Sequence, residues 1–350
     1  MVAQRLHTEN SAASTIQINM PSPSFSELFA QDKPLLVLAP MQDITGVDFL
    51  RIIHSYGGAD LYFTEYFRVH RDSKPDKDIL KSVDANPTGR PILAQMIGRD
   101  TSALVRTAML LEKYPVAGID FNLGCPAPIV CRKNAGGALL RDLPHVADIM
   151  HALRAALKTR LTLKTRIGYY SPEEWEKFLP FLKVLPLDAV TIHGRTVREG
   201  YSAPVHYDKI AEAVRELSCP VIANGEIRSA DKAIEVWKST GAAGIMVGRG
   251  AILNPWIFRQ IRERLHGTAV FLPSFRDLYK YIERIYSETR IPGMGDKTHV
   301  SKIKKIAGFI SCGLESRPSF HAQLMRAETP CDFFRACGDA LSSDEPCFIP

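Results

Sequence analysis

Residues 118–140 read GIDFNLGCPAPIVCRKNAGGALL and set Cys125 between Gly124 and Pro126, where a run with strand character stops at Asn122. A thiol on so stiff a turn points in a fixed direction. Cys131 follows six residues later, but the seven cysteines, at 125, 131, 219, 312, 331, 337 and 347, include no CxxC pair. A zinc or iron–sulfur site is therefore poorly supported, and a disulfide framework is not expected at this chain length. One reduced thiol, with Cys131 as a bystander, is the reading that remains. Other polar residues interrupt short apolar runs in the same way: Pro40-Met41, Thr64-Glu65, Gln95, Asn122, Lys164 with Arg166, His193 with Arg195, Asn224-Gly225 and Gly248-Arg249-Gly250. Any one of these reads as a hydrogen-bonded core residue or a solvated edge. As a set at one rim, they need one another or a ligand.

The elements that must hold them recur evenly. LLVLA (35–39), DLYFT (60–64), ILAQMIG (92–98), AGIDFN (117–122), LTLKTR (161–166), DAVTIHG (188–194), PVIANG (220–225) and AGIMVGRG (243–250) are each too short for a helix and rich in residues of buried parallel strands. Helical patterns follow most of them, with Asp100 or Thr101 and Ser171 as caps and Pro172 at a first helical position. Residues 66–90 are polar and proline-punctuated and read as a long loop. Eight strand–helix units predict an α/β fold, a (β/α)8 TIM barrel, over residues 31–268. A doubly wound sheet would usually carry a glycine fingerprint after its first strand, where this chain has Ala-Pro-Met. In the barrel, all the interrupting polar residues fall at the C-terminal ends of the strands, where such folds place their active sites.

Around this barrel, residues 1–30 read as a flexible tail without the apolar core of a signal peptide, and no run reaches the length of a membrane span. A cytoplasmic monomer is expected. Residues 269–350 read as a small all-helical domain, with Ile303, Ile306 and Ile310 on one face. The net charge of +6 permits a polyanionic partner without demanding one. Charge concentrates within residues 276–317, where nine Lys or Arg stand against five Asp or Glu. Lys297, Lys302, Lys304 and Lys305 form the candidate contact surface, and Arg132-Lys133 is a second candidate.

The glycines at the ends of the seventh and eighth runs suit a phosphate, which this fold commonly holds there on backbone N–H groups. Gly225, Gly248 and Gly250 allow close backbone approach, and Arg249 adds charge. Gln95, Lys164 and His193 would then lie beside a ring. Flavin mononucleotide has the matching parts: one phosphate, one polar ring and a large flat body.

LAPMQDITGVDFLR, TEYFRV, QMIGRD, DFNLGCPAP with AGGALL, LKTRIG, TIHGRT with GYSAP, VIANGEI and MVGRGAI resemble the motifs of the tRNA-dihydrouridine synthases, in order over about residues 35–255. The resemblance is to bacterial members acting in the D-loop. It implies reduction of the uracil C5=C6 bond in tRNA by FMN, recharged by NADPH. It further implies that Pro40, Met41, Gln95, Lys164, His193, Asn224, Gly225, Glu226, Gly248 and Arg249 hold FMN. By the same resemblance Cys125 is the proton donor, Asn122 touches the uracil, Arg195 and Tyr201 lie near it, and Glu65 belongs to the same rim. Lys297, Lys302 and Lys305 would meet the tRNA, and no metal is implied.

The chemistry agrees with those roles. Hydride reaches C6, the electron-poor carbon, and C5 then takes a proton from an acid on the opposite face. A thiol, with an ordinary pKa of about 8.5, keeps its proton at neutral pH and yields it readily, whereas a carboxylic acid would be ionised unless strongly desolvated. Lys164 would stabilise the anionic reduced ring; His193 would do the same or bind phosphate. The base must leave its stack, at a few kcal/mol that backbone contacts offset. Two alternatives stand beside this reading. One is an FMN-dependent oxidoreductase acting on a free pyrimidine, of the dihydroorotate or dihydropyrimidine dehydrogenase kind. The other is a non-catalytic RNA-binding module.

Overall fold

Nine strands form a single sheet in the computed structural model, which describes residues 25, 27–30, 32–314 and 316–347. They are β1 (Leu35–Leu38), β2 (Tyr62–Phe63), β3 (Phe67–Arg68), β4 (Ile92–Ile97), β5 (Gly118–Leu123), β6 (Arg160–Arg166), β7 (Ala189–His193), β8 (Val221–Asn224) and β9 (Gly244–Val247). All pairings are parallel, in the order β1-β9-β8-β7-β6-β5-β4-β2. β3 continues the line of β2 along the same partner, β4. The circle closes where the Leu38 N–H donates to the Leu61 carbonyl at 3.1 Å. The result is a parallel barrel of eight staves with helices outside it, as the spacing of the apolar runs predicts.

The strands are buried along nearly their whole length, because helices cover their outer face and side chains fill the interior. Leu35, Val37, Leu61, Phe63, Leu93, Ile222 and Met246 form an inner cluster, which Leu28 joins. Leu28 belongs to a short 3-10 turn, Glu27–Phe29, within the expected tail; residues 1–24 lie outside the described residues.

Residues 66–90 are not one long loop. They hold β3 and a helix, Lys77–Asp84. Asp76 caps that helix by accepting from the Asp78 and Ile79 N–H groups, and Leu80 and Val83 are buried beneath it. Two apolar contacts and one cap suffice once a barrel lies underneath, and so short a segment shows little helical period in sequence.

Four helices follow the barrel: Phe275–Glu288, Asp296–Cys312, Pro318–Arg326 and Pro330–Leu341. A capping box between Ser274 and Asp277 starts the first of them. Leu278, Ile282, Ile303, Ile306, Ile310 and Phe333 join the same apolar core as the barrel's outer layer. A side chain on Gly313 would collide with Leu253, so the second helix lies tight on the segment after β9. Among the described residues, no helix is long and apolar enough to cross a membrane.

Candidate active site

A cavity of about 640 Å³ opens at the C-terminal ends of the strands, within the size range of small-molecule sites. Most of the polar rim converges on it. Pro40 and Met41 follow β1, Asn122 and Cys125 end β5, Lys164 lies on β6, His193 ends β7, Asn224, Gly225 and Glu226 end β8, and Gly248 and Arg249 end β9. Tyr201 lines it from the loop after β7, with the guanidinium groups of Arg166 and Arg249 5.2 and 4.4 Å from its ring centre.

The Cys125 loop is held from both sides. Asn122 Oδ1 accepts from the N–H groups of Gly124 and Cys125 at 3.1 and 3.0 Å. The Cys125 carbonyl accepts from the Gly137 N–H at 3.1 Å, and a Cβ at Gly137 would stand 2.6 Å from Val197 and 3.0 Å from that carbonyl. Glycine is therefore required where AGGALL returns to the barrel. Arg166, fully enclosed, donates to the carbonyls of Gly124, Thr196 and Gly200 and so ties this loop to the loop that carries Tyr201. Cys131 does not pair with Cys125; both thiols are free, and Cys131 Sγ donates to the Cys125 carbonyl at 3.6 Å.

The electrostatics are those of an anion site. Burial pushes the Lys164 ammonium down to about 8, helped by the nearby charge of Arg166. Lys164 Nζ donates to Asn224 Oδ1 at 3.3 Å. His193 is driven well below its ordinary range by burial and then by the charges of Arg166, Lys164, Arg195 and Arg249, so its ring is neutral. Glu226 gathers Arg195 at 2.8 Å and Arg249 at 3.4 Å, together with Arg228.

Six expected residues stand apart from the cavity wall or behind it. Gln95 is fully buried, with its amide bonded to Asp120 and Asn122. Arg195 lies behind the wall on Glu226 and the Ala203 carbonyl. Glu65 faces the backbone of Asp43 and Ile44. Lys297 pairs with Glu328 at 2.9 Å. Lys302 and Lys305 are exposed on helix Asp296–Cys312 and make no hydrogen bond or ion pair among the described residues, whereas Lys304 donates to the Met325 and Ala327 carbonyls.

Three residues that matter escaped the sequence reading. Asp120 sits in an apolar run, and its only signal was a charge inside a buried strand. Arg166 was noted on its strand without a role. Phe309, from the helical region, lines the cavity 116 positions after His193 and left no local signal.

Three buried polar atoms at this end of the barrel have no hydrogen-bond partner among the described residues: Gln42 Oε1, His193 Nδ1 and Arg195 Nη1. Natural proteins leave few such atoms. A ring with polar edges fits Gln42 and His193, which line the cavity, and the glycine cradle at Gly225, Gly248 and Gly250 fits a phosphate.

The fold and this cavity define a (β/α)8-barrel enzyme with its site at the strand ends. The chain belongs to the dihydrouridine synthase family, whose model, "Dihydrouridine synthase (Dus)", matches residues 37–342. It is 33% identical over 301 residues to tRNA-dihydrouridine synthase B of Pseudomonas syringae pv. tomato, covering 84% of this chain and 87% of that one. A probable tRNA-dihydrouridine synthase of Helicobacter pylori (strain J99) is 35% identical over 240 residues, 66% of this chain and 71% of that one. The tRNA-dihydrouridine(16) synthase of Shewanella oneidensis is 34% identical over 229 residues, 63% and 72%. Among solved structures, histamine dehydrogenase from Rhizobium sp. 4-9 aligns with a TM-score of 0.51 at 15% identity over 71% of this chain and 48% of that one, a likeness of fold alone.

Proposed function

We propose that this protein reduces the C5=C6 bond of uridines in tRNA, with FMN in the cavity and NADPH as the electron source. The observation that carries the reading is the single cavity that brings Cys125 together with Lys164, His193, Asn224, Gly225, Gly248 and Arg249. A bound flavin supplies a hydride and is recharged by a nicotinamide cofactor. The protein's own groups supply the rest. Pro40, Met41, Glu226 and the glycine cradle would bound the flavin, and Lys164 would hold negative charge beside it. Cys125 would hold a proton and deliver it to C5 from the face opposite the hydride. Asn122 would touch the base, with Tyr201 and Arg195 near it.

The names of the relatives support tRNA as the substrate, and Lys302 and Lys305, exposed on the helix that carries Phe309, offer charge suited to phosphates. Such a role belongs in the cytoplasm. A free pyrimidine would need neither these lysines nor a wall drawn from a second helical region.

The test is direct. The purified protein should be yellow. Cys125→Ala should keep its flavin and still oxidise NADPH, while dihydrouridine formation in tRNA falls by about 10²- to 10⁴-fold. Undiminished product from that variant would remove Cys125 from the acid role. A colourless protein that binds tRNA would sink the enzymatic reading.

A further inference from the structure

A directional chain of hydrogen bonds runs beneath the cavity floor. The N–H groups of Gly124 and Cys125 can only donate, so the atom they share on Asn122 must be the amide oxygen. Both lone pairs of that oxygen are thereby used. Asn122 Nδ2 donates to Gln95 Oε1 at 2.8 Å, and Gln95 Nε2 donates to Asp120 Oδ2 at 2.8 Å. Thr162 Oγ1 donates to the other Asp120 oxygen at 2.6 Å. A carboxylate accepting at both oxygens forces Gln95 to turn its nitrogen down, which forces Asn122 to turn its nitrogen toward Gln95. The chain is therefore fixed from both ends, by Asp120 below and by the Cys125 loop above. Gln95, Asp120 and Thr162 are buried, and Asn122 alone reaches the cavity. One of its two amide hydrogens is uncommitted.

We infer that Asp120 and Gln95 hold Asn122 as a donor-only group, and that its free N–H binds O4 of the target pyrimidine. The inference rests on the uridine-reduction reading above and adds how the base is oriented and its charge stabilised. Hydride addition at C6 of the C6=C5–C4=O4 system would push the C5=C6 π electrons toward O4 as an enolate. The proton then passes from Cys125 Sγ to C5, which re-forms the C4=O4 carbonyl and leaves a thiolate that regains a proton from solvent. C5 is bonded to C4, so O4 is the carbonyl nearest the group that also fixes Cys125; O2 lies across the ring. A donor oriented before the reaction stabilises the developing oxyanion without reorganisation. The same polarity disfavours cytosine, whose 4-amino group would meet Asn122 donor against donor. Asp120 touches no ligand; it is a positioning residue.

The test reverses the chain while conserving its charge and every bond in it. In the double variant Asp120→Asn/Asn122→Asp, the carboxylate now at position 122 accepts from Gly124, Cys125 and Gln95. The flipped Gln95 accepts from the amide now at position 120, and that amide's oxygen accepts from Thr162. The N–H offered to the cavity disappears, and an acceptor-only carboxylate stands in its place. The melting temperature should stay close to the parent's, while uridine reduction falls by about 10²- to 10³-fold. The single Asn122→Asp variant, which sets acceptor against acceptor, should lose both stability and activity. A stable double variant with the parent's rate would overturn the donor role. A double variant no more stable than Asn122→Asp would overturn the directional chain. A parent that forms no dihydrouridine would refute the functional reading instead, and the thermal comparison would still test the chain.

Discussion

At Asp120, burial pushes the carboxyl up to about 6, against the hydrogen bonds from Thr162 and Gln95 and the charge of Lys164. The folded value lies above the ordinary carboxylate value, so between about pH 4 and 6 the folded protein holds a proton that the unfolded chain has released. The associated stability is full below that window and is lost as pH rises through it. A shift of about two units corresponds to on the order of 3 kcal/mol. Urea unfolding of the parent and of Asp120→Asn at several pH values between 4 and 7 should show this slope in the parent and its absence in the variant. Equal slopes would mean that other groups carry the pH dependence. Sequence showed the residues that touch the cavity far better than those that orient them. Cys125 announced itself by its turn, and Lys164 and His193 by their place in apolar strands. Asp120 was overlooked because a strand with one charge among apolar neighbours still reads as a buried strand.

The strands were legible because burial on both faces writes uninterrupted apolar runs, and every run found in the sequence contains or abuts a strand. The segment 66–90 was not, because a helix of eight residues, Lys77–Asp84, owes its stability to the surface beneath it. Its cap is accordingly testable. Asp76→Ala should cost about 1 kcal/mol, read by chemical denaturation, and local amide exchange in residues 77–84 should rise. A change confined to distant helices would contradict the capping role. Gly250 sets a stricter limit. A Cβ there would collide with the Ile227 carbonyl, so the turns after β8 and β9 must separate to admit it. Gly250→Ala should destabilise the protein by about 1–3 kcal/mol and weaken flavin retention, measured by the free-to-bound flavin ratio after gel filtration. A variant as stable as the parent, with its flavin intact, would show that the cradle yields more easily than its geometry implies.

The barrel and the helices after it share one apolar core, so cutting the chain near residue 268 would strip Leu278, Ile303 and Phe333 from the barrel's outer layer rather than release a working barrel. Charge reversal is the cleaner probe of the second lobe. Lys302→Glu/Lys305→Glu should weaken tRNA binding about 10- to 100-fold near physiological salt and lower the slope of log K against log salt by about two, since each phosphate contact releases close to one counterion. An unchanged slope would move the RNA to another face, with Arg132 and Lys133 next to be tested. Sequence foresaw a basic helical region but not its reach into the cavity, because the meeting of Phe309 with strand ends far earlier in the chain is a fact of three-dimensional packing alone.

That reach has a consequence for the order in which the protein is made. Every other residue lining the cavity lies before position 253, and β1 finds its closing partner only when β9 has left the ribosome. At about 5–20 residues per second, the outer wall contributed by Phe309 emerges seconds after the rest of the pocket is complete. Nascent chains stalled between these two points would carry an open-sided pocket: a growing protein with its chemistry already encoded and its container unfinished.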